Sequence, residues 1–438
     1  MRVDSTTSVL HGISCDEVQM PTPNGPAVIS IPGKFRGRPG SLALDNNILS
    51  KGILAIGPAG YAKTNLICHM VKQIIDNLSN DDVCIIFDAK GDYYSRFFRK
   101  GHYVLGSSPE YRDHSLRWNL FREGQINGSS LSDFKTEIFE IASRLFYDQI
   151  MGNSTNKFFP QTARNLFAEA ADAMILESKK DPSGVMLTNF DLIDFLSHAT
   201  DQELVSLLTK YPDLSKSAVS ISRDSAQTQG IRSELNAALD SMFIDIYSEP
   251  GLFSIREFVK QAGAKVLFIE YDINHGSSLE PIYSVLIDLA LKEALGGRSH
   301  RGKKYIVLDE LKLAPHLQHL EDALNVGRSL SLKVICGLQS YNQIVDAYGE
   351  NTAKSILGGF QTVFCFGGND VETRKYIKDL SGENLCLEEY YDLAGKPTSF
   401  CRAGTTVEDW NLFSLQTGEA YVKTPRCYPF KFYVDEFH

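Results

Sequence analysis

Between an apolar run and the start of a helical pattern, the chain reads Gly57, Pro58, Ala59, Gly60, Tyr61, Ala62, Lys63 and Thr64. That spacing suits a phosphate cradle. Glycines let backbone N–H groups turn inward, and the helix that follows contributes the positive end of its dipole. On a nucleoside triphosphate, Lys63 would reach the β- and γ-phosphates and the Thr64 hydroxyl would reach Mg²⁺. Ala62 departs from the GxxxxGK[ST] pattern, because it stands where glycine is expected. Its Cβ would crowd the phosphates or oppose a left-handed backbone. An ordinary glycine-containing turn from strand to helix is the plain alternative, and a second segment decides against it.

That segment is Tyr305–Leu308, a buried-type strand ending in Asp309 and Glu310. In a nucleotide site the first acid holds Mg²⁺ and the second orients water. Alone, the pair reads equally well as a solvated strand end; together with Lys63 and Thr64 it reads as catalytic. Beyond a further strand, Lys333–Gly337, lies Gln339, at the end of the sheet where ligands gather in open α/β folds. It either senses a γ-phosphate or caps the next helix. Arg328 follows Gly327 at the end of a helical segment, where it serves either as an arginine finger or as a partner of helix carbonyls.

The elements that must position these residues alternate. Ile53–Ile56 is a strand, Asn65–Leu78 has helical spacing and Val83–Phe87 is a second strand, which begins a parallel sheet. The alternation breaks at Phe134–Tyr147 and Gln161–Glu177, both helical, and Asp181, Pro182, Ser183 and Gly184 form a strong turn. From Asn189 to about Ser248 the pattern is helical, with Phe190, Ile193 and Leu196 on one apolar face and Leu204, Leu207 and Leu208 on another. Strands resume at Val266–Glu270, Tyr305–Leu308, Lys333–Gly337 and Thr362–Phe366, with helices at about Leu279–Leu295, Leu317–Gly327 and Thr373–Leu380. The first fifty residues read as loops and edge strands, with a basic cluster at Lys34, Arg36 and Arg38. The expected architecture is α/β: a mainly parallel nucleotide-binding sheet in residues 1–180 and 256–438, interrupted by an all-α insertion at 181–255.

The chain has 438 residues, 43% apolar and 22% charged, which allows a sizeable core and more than one domain. A net charge of −10 excludes a surface that coats DNA by general positive charge, so any nucleic acid must meet a local site. The clearest basic run is Arg301, Lys303 and Lys304, which reads more simply as a solvated loop before a strand. No run reaches the roughly 18 to 20 apolar residues of a membrane-spanning helix. Met1–Val9 lacks the pattern of a secretory signal, so the expected location is the cytosol. No two of the eight cysteines are spaced as CxxC, which leaves a zinc site or disulfide framework unsupported; Cys84, Cys336 and Cys365 fall in strand-like runs as core residues.

Taken together, Gly57–Thr64, FDAKGD at Phe87–Asp92, RWNLF at Arg117–Phe121 and the long block Leu308–Ser340 resemble the TraD/TraG type IV coupling proteins, within the FtsK/HerA group of translocases. The resemblance covers most of the chain. It implies a RecA-like P-loop ATPase using ATP and Mg²⁺, with Asp309, Glu310, Arg328 and Gln339 in the family's roles and Arg328 acting across a subunit boundary. It implies a homohexameric ring that pumps single-stranded DNA toward a type IV secretion pore, with a relaxase or other secretion substrate as partner. The all-α insertion corresponds to the family's membrane-distal domain, associated with relaxase and DNA recognition, and FDAKGD makes Asp88 a nucleotide-site candidate. Ala62 and the missing N-terminal membrane helices depart from the family pattern. The second departure implies a member recruited by partners to the cytoplasmic face of the inner membrane, or a cytosolic portion. A double-stranded DNA pump of the FtsK/HerA kind shares every catalytic residue, and a non-hydrolysing secretion adaptor would explain Ala62.

Overall fold

The computed structural model describes residues 5–125, 130–152, 156–180, 185–222, 225–261, 263–296, 302–391 and 396–438. By its internal contacts the chain divides into two compact units. One joins Met1–Phe87, Arg301–Lys312 and Leu320–His438; the other joins Asp88–His300 and Leu313–His319. In chain order the strands are β1 (Ser5–His11), β2 (Ala27–Phe35), β3 (Arg38–Asp45), β4 (Ile53–Ile56), β5 (Val83–Asp88), β6 (Tyr103–Leu105) and β7 (Lys265–Glu270). They continue with β8 (Lys304–Leu308), β9 (Leu332–Leu338), β10 (Thr362–Cys365), β11 (Glu383–Tyr391), β12 (Pro397–Thr405), β13 (Glu419–Lys423) and β14 (Phe430–Val434).

In the first unit the main sheet runs β3-β2-β14-β13-β10-β4-β9-β8-β5. From β10 to β5 the pairing is parallel, and from β13 outward it is antiparallel. Composition explains the split. β4, β8 and β9 are buried along their whole length, as befits strands covered on both faces, whereas β2 and β14 alternate buried and half-exposed positions. Helix α1 (Lys63–Asp76) buries Leu66, Ile67, Met70, Val71 and Ile74, a helical stripe. β1, β11 and β12 form a separate small sheet. The edge strands expected in the first fifty residues are therefore present. Arg36, from the basic cluster at the β2–β3 turn, donates to the Val18 carbonyl at 3.1 Å.

The second unit contains the parallel pair β6 and β7 and a set of helices: α2 (Leu131–Leu145), α3 (Phe158–Ser178), α4 (Asn189–His198), α5 (Asp201–Thr209), α6 (Ser225–Met242) and α7 (Gly276–Gly296). The compact units do not follow the expected limits at 180 and 255, which both fall inside this unit. α3 packs against both α2 and α6, which precede and follow residue 180 in the chain. The turn expected at Asp181–Gly184 lies outside the described residues, as does Arg301 of the basic run.

The apolar face expected on α4 is also corrected. Phe190 is 49% exposed, while Asn189, Leu192 and Leu196 are buried. Asn189 sets this rotation: its amide donates to the Trp118 and Tyr247 carbonyls at 2.9 and 3.0 Å, and its Oδ1 accepts from the Leu120 N–H at 2.9 Å. Three satisfied bonds at a buried amide outweigh the burial of one phenylalanine. On α5, Leu204 and Leu208 are buried and Leu207 is half-buried. No helix among the described residues is long and apolar enough to cross a membrane.

Candidate nucleotide-binding site

The loop Gly57–Thr64 leaves the carboxyl end of β4 and enters α1. Gly57 has φ +152°, and a Cβ there would lie 2.8 Å from the Phe366 Cβ, so the first position of the loop tolerates no side chain. Ala62 is left-handed, with φ 78° and ψ 20°. This is the conformation for which the pattern reserves glycine, and an alanine holds it at a cost of roughly 1–2 kcal/mol. Lys63 is buried, and its ammonium donates to the carbonyls of Gly57 at 2.7 Å and Pro58 at 2.9 Å.

Across the sheet, β4 pairs with β9 and β9 with β8, all parallel, so their carboxyl ends meet at one edge. The Thr64 hydroxyl donates to Asp309 Oδ1 at 3.3 Å. The Gln339 amide donates to Glu310 Oε2 at 2.7 Å, while Glu310 Oε1 is buried without a hydrogen-bond partner among the described residues. Burial pushes the Glu310 carboxyl above its ordinary range; the Gln339 bond and Lys63 pull the other way. A Cβ on Gly337 would fall 2.0 Å from the Asp309 carbonyl, so glycine in β9 is what lets the acids and Gln339 approach so closely. The Gln339 side chain is thus held on the acid, while its own N–H donates to Gln343 Oε1 at 3.2 Å.

Arg328 stands elsewhere. It lies on the short turn Gly327–Leu330 before the amino end of β9, exposed to solvent. The strand Leu332–Leu338 rises about 20 Å at ~3.3 Å per residue, so Arg328 and Gln339 mark opposite ends of it. Lys51, before β4, has its ammonium pushed down by burial and then by Arg328 and Arg426, which places three cations at this end. Lys333, buried in β9, is pushed down to about 8 by burial, with Lys303 and Arg328 adding to the effect.

Asp88, the remaining candidate, has a local task. Its carboxylate accepts from the N–H groups of Lys90 and Asp92 at 3.2 Å each, Tyr93 at 2.7 Å and Tyr94 at 2.9 Å, fixing the turn that opens the helix Asp92–Phe97. With its lone pairs so committed, and being an anion, it is poorly suited to a phosphate. Two features escaped the sequence reading. Glu270, ending β7, is buried with Oε1 unpartnered among the described residues, and burial plus Asp88 push it up to about 9. An acid closing an apolar strand was the available signal, the same one that marked Asp309. The second is a clamp on α1: Asn65 and His69 hold the Asp435 carbonyl at 2.9 and 2.8 Å, and the Phe437 ring meets His69 edge-on at 5.0 Å. Nothing local in the sequence announces it.

A family model described as type IV secretion-system coupling protein DNA-binding domain matches residues 38–394. The coupling protein TraD of Escherichia coli (strain K12) is 24% identical over 377 residues, covering 82% of this chain and 50% of TraD. The chain therefore spans about half the length of that relative. Among solved structures, plasmid coupling protein TrwB in complex with ADP and Mg²⁺ superposes with a TM-score of 0.73 at 19% identity, covering 99% of this chain and 94% of that one. VirB4 of Thermoanaerobacter pseudethanolicus superposes with a TM-score of 0.56 at 11% identity, over 95% of this chain and 98% of that one. At such identities these likenesses establish the fold, an α/β P-loop ATPase fold of the RecA-like kind.

Proposed function

This chain belongs to the family of type IV secretion-system coupling proteins, and from that membership we propose that it is an ATP-driven motor pumping single-stranded DNA toward a type IV secretion channel. A relaxase or other secretion substrate would deliver the DNA, and partners at the cytoplasmic face of the inner membrane would recruit the motor. The observation that carries the reading is the meeting of Lys63, Thr64, Asp309, Glu310 and Gln339 at the carboxyl ends of three adjacent parallel strands.

This donor set fits ATP with Mg²⁺: a buried lysine, a hydroxyl facing a carboxylate, and a second carboxylate with one oxygen unengaged among the described residues. When bound, Mg²⁺ would supply positive charge that offsets the charge of the phosphates. Thr64 and Asp309 would hold the ion. Lys63 exchanges the carbonyls of Gly57 and Pro58 for phosphate oxygens. Glu310, kept above the usual carboxylate range by burial, orients the attacking water and takes up its proton. Gln339 grips the other oxygen of that carboxylate and so links the fate of the γ-phosphate to β9.

Arg328 belongs in the site of a neighbouring copy. At the far end of β9 it cannot serve its own loop, and Arg328 and Arg426 both press on Lys51 there, offset in part by Asp45. A head-to-tail interface makes a ring where its rotation closes, and the ring proposed here is a homohexamer. A non-hydrolysing adaptor is the competing reading, favoured by the strained Ala62. ATP turnover measured at rising protein concentration, with single- or double-stranded DNA, tests both. Concentration-dependent turnover stimulated by single strands and lost in Lys63→Ala supports the motor. Preference for duplex moves the reading to an FtsK/HerA-like pump, and no turnover moves it to the adaptor.

A further inference from the structure

The second unit carries a half-open cavity of about 430 Å³ lined by none of the residues assigned above. This volume falls within the range of roughly 300–1,000 Å³ typical of small-ligand sites. Phe134 of α2, Ile175 and Leu176 of α3, and Leu214 of the turn Pro212–Leu214 supply apolar wall. Asp172 of α3 also lines it, although it is only 4% exposed, and its Oδ1 makes no hydrogen bond among the described residues. An apolar chamber with one unsatisfied buried acid is costly to keep unless something complements it.

The nearby cation acts on Asp172 through charge alone, without a hydrogen bond to it. Lys135 lines the cavity, but its ammonium donates to the Asp213 carbonyl at 3.1 Å. The Tyr211 hydroxyl is engaged by Glu177 and by Lys180, the latter at 2.7 Å. We propose that the cavity is a docking subsite for one basic side chain, lysine or arginine, of a polypeptide partner. The aliphatic stem lies along Phe134, Ile175, Leu176 and Leu214, and the charged head meets the Asp172 carboxylate. A long stem with one terminal cation matches apolar walls and one acid. A polyamine, charged at intervals along its length, does not.

The groups facing Asp172 define how binding responds to pH. Burial pushes its carboxyl up to about 7, with Lys135 opposing and Glu169 assisting; Asp213 and Tyr211 complete the charged and titratable lining. The bound cation selects the ionised acid, so affinity rises about tenfold per pH unit up to about pH 7 and then levels.

The test uses the full chain without nucleotide, so that its failure is distinct from failure of the ATPase reading. N-acetyl-arginine methylamide, N-acetyl-lysine methylamide, the uncharged norleucine analogue and spermidine are titrated by calorimetry against wild type, Asp172→Asn and Asp172→Leu. Both variants remove an uncompensated buried acid and should fold with an unchanged or raised melting temperature. The expected result is binding of the arginine and lysine probes, at least tenfold weaker in both variants, with the norleucine probe and spermidine weaker still. Equal binding by the norleucine probe, retained affinity in both variants, selective spermidine binding, or no binding of the basic probes at millimolar concentration would each overturn the proposal.

Discussion

The two ends of the parallel sheet carry opposite chemistry. At the carboxyl ends of β4, β8 and β9, acids, a hydroxyl and an amide converge, and the lysine among them is folded onto backbone carbonyls. At the amino ends, Lys51, Arg328 and Arg426 gather, and no carboxylate among the described residues forms an ion pair with Arg328 or Arg426. One end has anionic and phosphate-binding groups that want a metal–nucleotide complex; the other has positive charge that wants an anion. Neither is a whole active site. On the function proposed above, one copy of this chain would carry two half-sites, held apart by the length of β9.

The strongest way to break that contrast is to remove the cation. Arg328→Ala should lower kcat by about 10³-fold, the scale of an arginine finger, while ATP binding measured on the isolated chain stays unchanged. A loss of binding instead would place Arg328 in its own copy's site. Next in size is Glu310→Gln, which should cost roughly 10²-fold in turnover while preserving nucleotide binding in an equilibrium assay. Gln339→Leu sharpens the same end. The Gln339 bond favours the ionised Glu310, so its removal raises that carboxyl further, and the acid limb of the pH–turnover profile should move to higher pH. A limb that moves to lower pH would contradict the assigned partnership.

Smaller effects concern the loop and its support. Ala62→Gly relieves a left-handed alanine and should stabilise the chain by about 1 kcal/mol, read as a rise in melting temperature, and tighten nucleotide binding several-fold. Phe437→Ala loosens the clamp on α1 beside Thr64 and should raise the KM for ATP by about twofold, leaving kcat unchanged, because the His69 contact positions the helix without touching the reacting atoms.

The chemistry of the first end was legible because it is local. Gly57–Thr64 follows directly on a strand and Tyr305–Glu310 contains one, each with its own site residues, and apolar runs such as Ile53–Ile56 and Val83–Phe87 read as buried strands. What escaped depends on groups distant in sequence. Asn189 turned Phe190 to solvent through bonds to Trp118 and Tyr247. Asp88, read as a nucleotide-site candidate, spends its carboxylate on the next turn of backbone. Lys304, part of the basic run, is buried and donates to the Leu330 carbonyl at 3.2 Å. The sheet order, which slots β9 between β4 and β8, brings Gln339 to Glu310; spacing along the chain carries no such information.

The most direct measurement mixes two variants that are each inactive alone. Arg328→Ala lacks the amino-end cation and Glu310→Gln lacks the carboxyl-end acid, so only an interface between one of each can pair an intact Glu310 with an intact Arg328. If the site is completed by a neighbouring copy, an equimolar mixture should recover about one quarter of wild-type ATP turnover, the random frequency of such interfaces in a closed ring. Turnover no higher than that of either variant alone would contradict a site shared between copies.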